Sequence, residues 1–432
     1  MEGRSPSSSQ QSLLFSNLID QLNPKNGLLK LCKVIPWDYF ENEFKKYYAL
    51  TGRPAKPIRL MVGLCILKHL ENLSDEVLVE RWVRDPYYQA FCGEVEFQWE
   101  IPCDPTDFVY FRKRIGKEGC EKILAASIAI HGEKINEKEA CIDTTVQEKN
   151  TTFPTDDKLA HKIIKRCLKL AKENGIKLRR SYRREIKERL LSLRFRQHPK
   201  NHKKARKAGK RLKTIAGILM RELERKLPTE ILLTETKRFE LYERVLKQQR
   251  EDKNKIYSLH EPHIYCMSKG KVHKQYEFGV KASIAKTRDS NLIVGAIAFE
   301  KNHYDGHTLE EVMIQVKKIA NWVPEIGLCD RGYRGRKHIG ETKIMIPTSS
   351  PKSSLSNYEK TKQRKRFRKR AGIEGIIGHL KADHRLGRNF LSDFLGDEIN
   401  VLMAAAAFNF RKWLREFCFL LNYLLRKKII FT

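Results

Sequence analysis

Residues 276–299 read YEFGVKASIAKTRDSNLIVGAIAF. Polar and apolar residues alternate over 276–285, the turn formers Asp289, Ser290 and Asn291 follow, and an apolar run fills 292–299. Two strands joined as a hairpin fit that pattern. Upstream, EACIDTT (139–145) is a short apolar run ending in Asp143, read as a buried strand. Downstream, residues 308–322 keep helical spacing after Asp305-Gly306, IGLCD (326–330) reads as a strand ending in Asp330, and 344–346 as another. A helix containing Glu374 comes after these strands.

With residues 156–255 set aside, the order is three strands, helix, strand, short helix, strand, helix. This predicts an α/β, ribonuclease-H-like (retroviral-integrase-like) core over 136–155 and 256–396. A right-handed crossover would set the strands of Asp143 and Asp330 side by side. Residues 1–12 are polar and Ser/Gln-rich and read as a disordered tail. Residues 13–135 read as an α-helical N-terminal DNA-binding domain, with Ile58, Leu60, Met61, Leu64, Leu67 and Leu70 at helical spacing and Ser74 as an N-cap. A helix over 107–115 would expose Arg112, Lys113 and Arg114. Residues 156–255 form a basic helical insertion between the first two strands, and 397–432 a C-terminal helix.

The 432 residues carry 85 Lys+Arg against 52 Asp+Glu, net +33. Residues 156–255 hold 33 Lys+Arg and 13 Asp+Glu, and 351–388 hold 12 and 3. The surplus is thus focused in two segments, around the acids rather than spread evenly. Such a charge destabilises a compact chain unless a polyanion offsets it, and double-stranded DNA is the leading candidate. No stretch of about 18 uncharged apolar residues suggests a membrane span, and the N-terminus lacks a signal-peptide pattern. Ten scattered cysteines without a CxxC argue against a zinc ribbon or a disulfide framework and fit a reducing, cytoplasmic setting.

Three acids converging in such a core have a chemical use. Carboxylate oxygens suit Mg²⁺ or Mn²⁺, which take remaining ligands from water and phosphate. Two ions about 4 Å apart can activate a nucleophile and stabilise the leaving oxygen of a phosphodiester. Without ions, three close carboxylates repel, and one tends to stay protonated.

CIDTTVQEKN (141–150), NHYDGHTLEE (302–311), IGLCDRGYRG (326–335) and RKRAGIEGIIGHLKADHRLGRNFL (368–391) resemble insertion-sequence transposases of the DDE class, in the family named after insertion sequence five. The resemblance runs over about residues 35–410 and includes RPAKPIRLMVGLCILKHLENLSDE (53–76). It implies a catalytic and metal-binding triad of Asp143, Asp330 and Glu374, with two Mg²⁺ for which Mn²⁺ substitutes. It implies binding to the terminal inverted repeats, strand cleavage and transfer to target DNA, a homodimer in a synaptic complex, and a nucleoid-associated prokaryotic setting. The family's Tyr-x2-Arg-x3-Glu-x6-Lys motif falls on Phe367, Arg370, Glu374 and Lys381, with phenylalanine in place of tyrosine. Arg370 and Lys381, together with Arg334 and Arg385, are the expected DNA- or phosphate-binding cations. A nuclease without strand transfer and a non-catalytic DNA-binding regulator remain the alternative readings.

Other residues have blander explanations. Asp305 competes for a metal role beside His303 and His307, but a cap for the following helix is the expectation. His260, His263, Cys266 and His273 lack a second pair to close a tetrahedral zinc site. Trp82, Trp322 and Trp413 read as core.

Overall fold

The computed structural model describes residues 17–49, 51–249, 251–268, 275–348 and 356–430, with side chains to 417. The expected disordered tail, 1–12, and His273 lie outside the described residues. The chain divides into two compact units, Met1–Glu148 with Val280–Thr432, and Lys149–Gly279.

Among the described residues of the first unit, seven helices come first: α1 (Leu18–Gln21), α2 (Gly27–Val34), α3 (Trp37–Lys45), α4 (Ile58–Leu70), α5 (Asp75–Arg84), α6 (Pro86–Cys92) and α7 (Pro105–Ala129). Their starts are set by local side chains. The Ser74 hydroxyl accepts from Val77 N–H at 3.2 Å, and Asp104 and Asp107 form a reciprocal capping box. The expected end at Ile115 coincides with a break in helical geometry at Gly116 (φ +59°), beyond which a second helical stretch runs to Ala129. Arg112 corrects an expectation. It is buried, not exposed, because Asp75 on α5 offers it a bidentate carboxylate.

Among the described residues the sheet has seven strands: β1 (Glu139–Glu148), β2 (Tyr265–Ser268), β3 (Tyr276–Thr287), β4 (Ile293–Phe299), β5 (Ile326–Leu328), β6 (His338–Ile339) and β7 (Thr342–Met345). Between β1 and β2 lie α8 (Asp156–Glu173), α9 (Arg183–Ser192), α10 (Pro199–Lys226) and α11 (Thr229–Lys247). After β4 comes α12 (Asp305–Ala320), and after β7 come α13 (Asn357–Asp383) and α14 (Asp393–Ile430). The strand order is β2-β3-β1-β5-β7-β6, with β4 paired to β3. β3 and β4 are antiparallel, whereas β5 is parallel to both β1 and β7. Without β2 and β6 the order β4-β3-β1-β5-β7 is that of a ribonuclease-H-like sheet, and α12 supplies the crossover to β5.

Three boundaries differ from the sequence reading. β1 does not end at Asp143 but continues to Glu148. It can do so because the fully buried Gln147 finds polar partners, donating to Asp397 and accepting from Asn400 at 2.8 Å. α12 begins at Asp305 rather than 308, and α14 begins at Asp393 rather than 397.

β4 divides two cores. Ile293, Ala296 and Ala298 join one with Val280, Ala282 and Ile284 of β3 and residues of α7 and α14. Val294, Ile297 and Phe299 join the other with Leu309, Val312 and Val316 of α12. The same first core takes in α2 to α7, so Val401, Leu402, Ala405 and Phe410 of α14 share it with Leu31, Phe44, Leu64 and Ile123. Among the described residues β4 pairs with β3 alone, and amide side chains meet the backbone of two of its residues. Gln315 of α12 bonds both N–H and C=O of Ala296, and Asn409 of α14 does the same for Ile293.

The second unit has its own core. Ile163, Ile164 and Cys167 of α8 meet Leu212, Ile215, Leu219 and Leu223 of α10. Along α10 the small and apolar side chains Ala205, Ala208, Leu212 and Ile215 face inward, while Lys203, Lys204, Arg206, Lys207 and Lys210 are exposed. β2 pairs with Tyr276–Gly279, the start of β3, inside this unit.

Candidate active site

The parallel pairing of β1 and β5 sets Cys141 opposite Leu328. Asp143 and Asp330 each follow two residues later. Asp330 caps a short 3-10 turn, Arg331–Tyr333, and its Oδ1 accepts from Gly332 N–H at 2.8 Å. α13 is held against these strands by packing and charge. Ile373 is buried with Cys141 and Leu328, and Arg366 makes a two-pronged contact to Glu139 at the start of β1 (2.7 and 3.1 Å). One helical turn beyond Arg366, Arg370 reaches the acids.

A single guanidinium meets all three predicted carboxylates. Arg370 lies 2.8 Å from Asp143 Oδ2, 3.9 Å from Asp330 Oδ2 and 3.7 Å from Glu374 Oε1. The Arg370 and Asp143 side chains are 11 % and 13 % exposed, whereas Glu374 is 71 % exposed, so the cluster has a dry floor and an open rim. Arg370 Nε is buried without a hydrogen-bond partner. The Asp143 carboxyl is pushed up to about 6, first by burial and further by Asp330 and Glu374, against the pull of Arg370 and of the Thr144 N–H.

Among the described residues no three acid, histidine or cysteine side chains close tightly enough to hold an ion as they stand. The guanidinium stands among the acids instead. The donor set nevertheless fits a hard divalent cation. All three candidate donors are carboxylates, and the most buried of them bears a proton more readily than an ordinary aspartate, even beside an arginine. An ion carrying two charges would hold that carboxylate ionised more strongly than one shared guanidinium does.

A fourth acid adjoins the three. Asp305, at the first turn of α12, accepts from Thr144 Oγ1 at 2.9 Å and from Lys281 Nζ at 2.8 Å. A Cβ on Gly332 would lie 2.9 Å from Asp330 Oδ1 and 3.3 Å from Asp305 Oδ2, so only a glycine leaves room between them. Tyr333 is fully buried, with its hydroxyl beside Thr144. Asp305 was visible in the sequence in HYDGHT, but nothing there signalled its link to Thr144. Lys281 and Tyr333 carried no signal beyond their strand and turn.

The remaining predicted residues are placed differently. Lys381 is half-buried on α13, seven residues past Glu374. Arg334 is exposed, and its carbonyl accepts from the Tyr304 hydroxyl at 3.1 Å. Arg385 turns to the N-terminal helices, donating to Asn72 O at 3.2 Å. Phe367 packs beside Cys141, Leu328 and Ile373, a lining role that needs no hydroxyl. Trp82 is buried, and Trp322 and Trp413 are half-buried.

Two family models match the chain. One, a transposase domain (DUF772), matches residues 16–114. The other, a transposase DDE domain, matches residues 245–410 and so includes Asp330 and Glu374, while Asp143 falls between the two matches. An uncharacterized protein of Rhizobium meliloti, ORF8 in the nfe locus, is 43 % identical over 192 residues, 42 % of this chain and 90 % of that protein. No solved structure matches.

Proposed function

This chain belongs to the DDE transposases of insertion sequences, and on that footing we propose that it cuts the ends of its own element and joins them to target DNA. The observation that carries the reading is the convergence of Asp143, Asp330 and Glu374 on one buried arginine from three separate elements. A vestigial regulator has no use for three oxygen ligands gathered beside a basic helix.

DDE transposases work with divalent metal ions. Here Asp143, Asp330 and Glu374 would hold two Mg²⁺, which Mn²⁺ can replace, and the ions would supply the activated nucleophile and neutralise the leaving oxygen. Before ions arrive, Arg370 relieves the repulsion of the acids and keeps them gathered. With ions present it can turn to a non-bridging phosphate oxygen, and Lys381 and Arg334 are further phosphate-binding candidates. Asp305 fixes Thr144, the neighbour of Asp143, and thereby the backbone that orients this carboxylate. The dry floor around Asp143 excludes bulk water, so attack is by the positioned nucleophile: first water, freeing a 3′-OH, then that 3′-OH in an in-line displacement on target DNA.

DNA recognition falls to the helices of residues 13–135 and to the basic helices of 156–255, and catalysis to the core of 136–155 and 256–396. A homodimer would pair the two inverted repeats. The test is a supercoiled donor plasmid carrying the element ends, incubated with the protein and Mg²⁺ or Mn²⁺. Excised and joined products are expected, and both are lost in Asp143→Asn and Glu374→Gln. Normal joining by either variant would overturn the triad, and cut ends without joined product would favour a simple nuclease.

A further inference from the structure

Within the first unit, and away from the acid cluster, α4, α5, α7 and the chain after α13 line a cavity of about 470 Å³. Its charged floor is unbalanced. Lys68 Nζ donates to Asp75 Oδ1 at 2.7 Å, and Arg112 grips the same carboxylate with Nη1 and Nη2 at 3.0 and 2.9 Å. The Lys68 and Arg112 side chains are only 6 % and 7 % exposed. Arg385 is a third cation on the same lining, held at φ +66°, with its guanidinium 5.6 Å from the ring of Phe390. Both Asp75 oxygens are engaged, so one carboxylate serves two fully buried cations and a third beside them.

Surplus charge of one sign in a half-enclosed space is unfavourable. Burial and the nearby Arg112 push the Lys68 ammonium down to about 8, and burial lowers Arg385 as well. The acids Glu76 and Asp393 also line the cavity, both are exposed, and Glu76 pulls on Arg385, yet Lys68, Arg112, Lys113 and Arg385 leave one cation in excess over the three acids. A metal ion would meet repulsion here, and a neutral apolar guest would leave the floor uncompensated. An anion with several acceptor oxygens would satisfy it, and the volume admits one larger than a phosphate.

We propose that this cavity is a phosphate-binding pocket, filled by a backbone phosphate of DNA and gripped by Lys68, Arg112 and Arg385. The DNA source rests on the transposase reading, whereas the phosphate chemistry does not. It is a second anchoring point for the strand, built jointly by the N-terminal helices and the segment that follows the catalytic helix.

The test uses the full chain in two arms. In the first, thermal melts at constant ionic strength compare inorganic phosphate, thymidine monophosphate and thymidine. Phosphate and the monophosphate should raise the melting temperature, and thymidine should not. The response should weaken at least fivefold in apparent affinity in Arg385→Gln and in Lys68→Met, the latter leaving the Asp75–Arg112 pair whole. No response in the unsubstituted protein, or an unchanged response in Arg385→Gln, would overturn the pocket even if Lys68→Met failed to fold. In the second arm, binding to a duplex of the element end is measured against salt. Loss of one phosphate contact should flatten the log–log slope by about 0.9 in Arg385→Gln. An unchanged slope alongside a phosphate response would overturn the DNA source and leave free phosphate or nucleotide as the ligand. A pocket that responds to phosphate in a protein unable to cleave donor DNA would refute the transposition reading alone.

Discussion

With Arg370 replaced by glutamine, three carboxylates would face one another with no internal cation. Asp143 and Arg370 are the buried part of this cluster, and removing the cation of such a pair costs about 3–5 kcal/mol. On the proposed metal site, a divalent ion would take the guanidinium's place and offset that loss. The expected result is an Arg370→Gln protein with a lowered melting temperature and a larger Mg²⁺- or Mn²⁺-induced rise than the unsubstituted chain. Equal ion-induced shifts in the two proteins would contradict the view that Arg370 occupies the ion's place. A second residue-scale expectation concerns His384 and His69, whose ring Nδ1 atoms meet each other's carbonyls at 3.0 and 3.5 Å. Burial drives His384 down to about 4 and His69 well below its usual value. The unfolded chain therefore takes up these protons first, near pH 6.5. Their contribution to stability is complete above that pH and is lost as pH falls toward 4, by about 3 kcal/mol for His384 alone. Denaturant melts at pH 7 and pH 4.5 should show that loss, and His384→Gln should reduce it. At this scale the sequence was informative where spacing is fixed by chemistry. Asp330 and Glu374 sit in recognisable motifs, and Arg370 and Glu374 are one helical turn apart. It was mute where partners come from afar. The run Arg112-Lys113-Arg114 reads as a solvated face, yet Asp75, 37 residues away, draws Arg112 inside.

The edge strand β4 shows what a helix can do for a sheet. Asn409 and Gln315 each donate and accept with one β4 residue, closing groups that pairing with β3 leaves open. Asn409→Leu strands a buried N–H and a buried C=O, and should cost about 2–4 kcal/mol. Chemical denaturation can measure this, and Gln315→Leu should behave alike. A cost below about 0.5 kcal/mol would mean the amides are incidental. Elements were legible in proportion to their length. The long β3–β4 hairpin and the helices of 156–255 follow from periodicity alone, whereas β2 has four residues and β6 two, too few for any period. β1 was cut short at Asp143 because polar residues after it look like a turn. Only Asp397 and Asn400, some 250 residues away, make Gln147 welcome in a strand.

At the scale of the molecule the charge of +33 sets the behaviour toward DNA. If about ten phosphates are contacted, affinity should fall with salt at a log–log slope of roughly −9. Replacing the exposed Lys203, Lys204, Lys207 and Lys210 of α10 with glutamine should flatten that slope by about 2–4, as far as these lysines touch phosphate, while the isolated fold of the second unit is preserved. Filter binding or fluorescence anisotropy over a salt series reads it directly, and a slope near zero would contradict an electrostatic track. The core that α14 shares with α2 to α7 bears on how the protein is made. A ribosome delivers the first helices long before Val401, Leu402 and Phe410, so the amino-terminal region must wait, incompletely packed, until α14 has been made. A frameshift or stop codon ahead of residue 393 should therefore yield a fragment that is degraded or aggregates. It should not yield a stable amino-terminal competitor able to occupy the element's ends and silence intact copies.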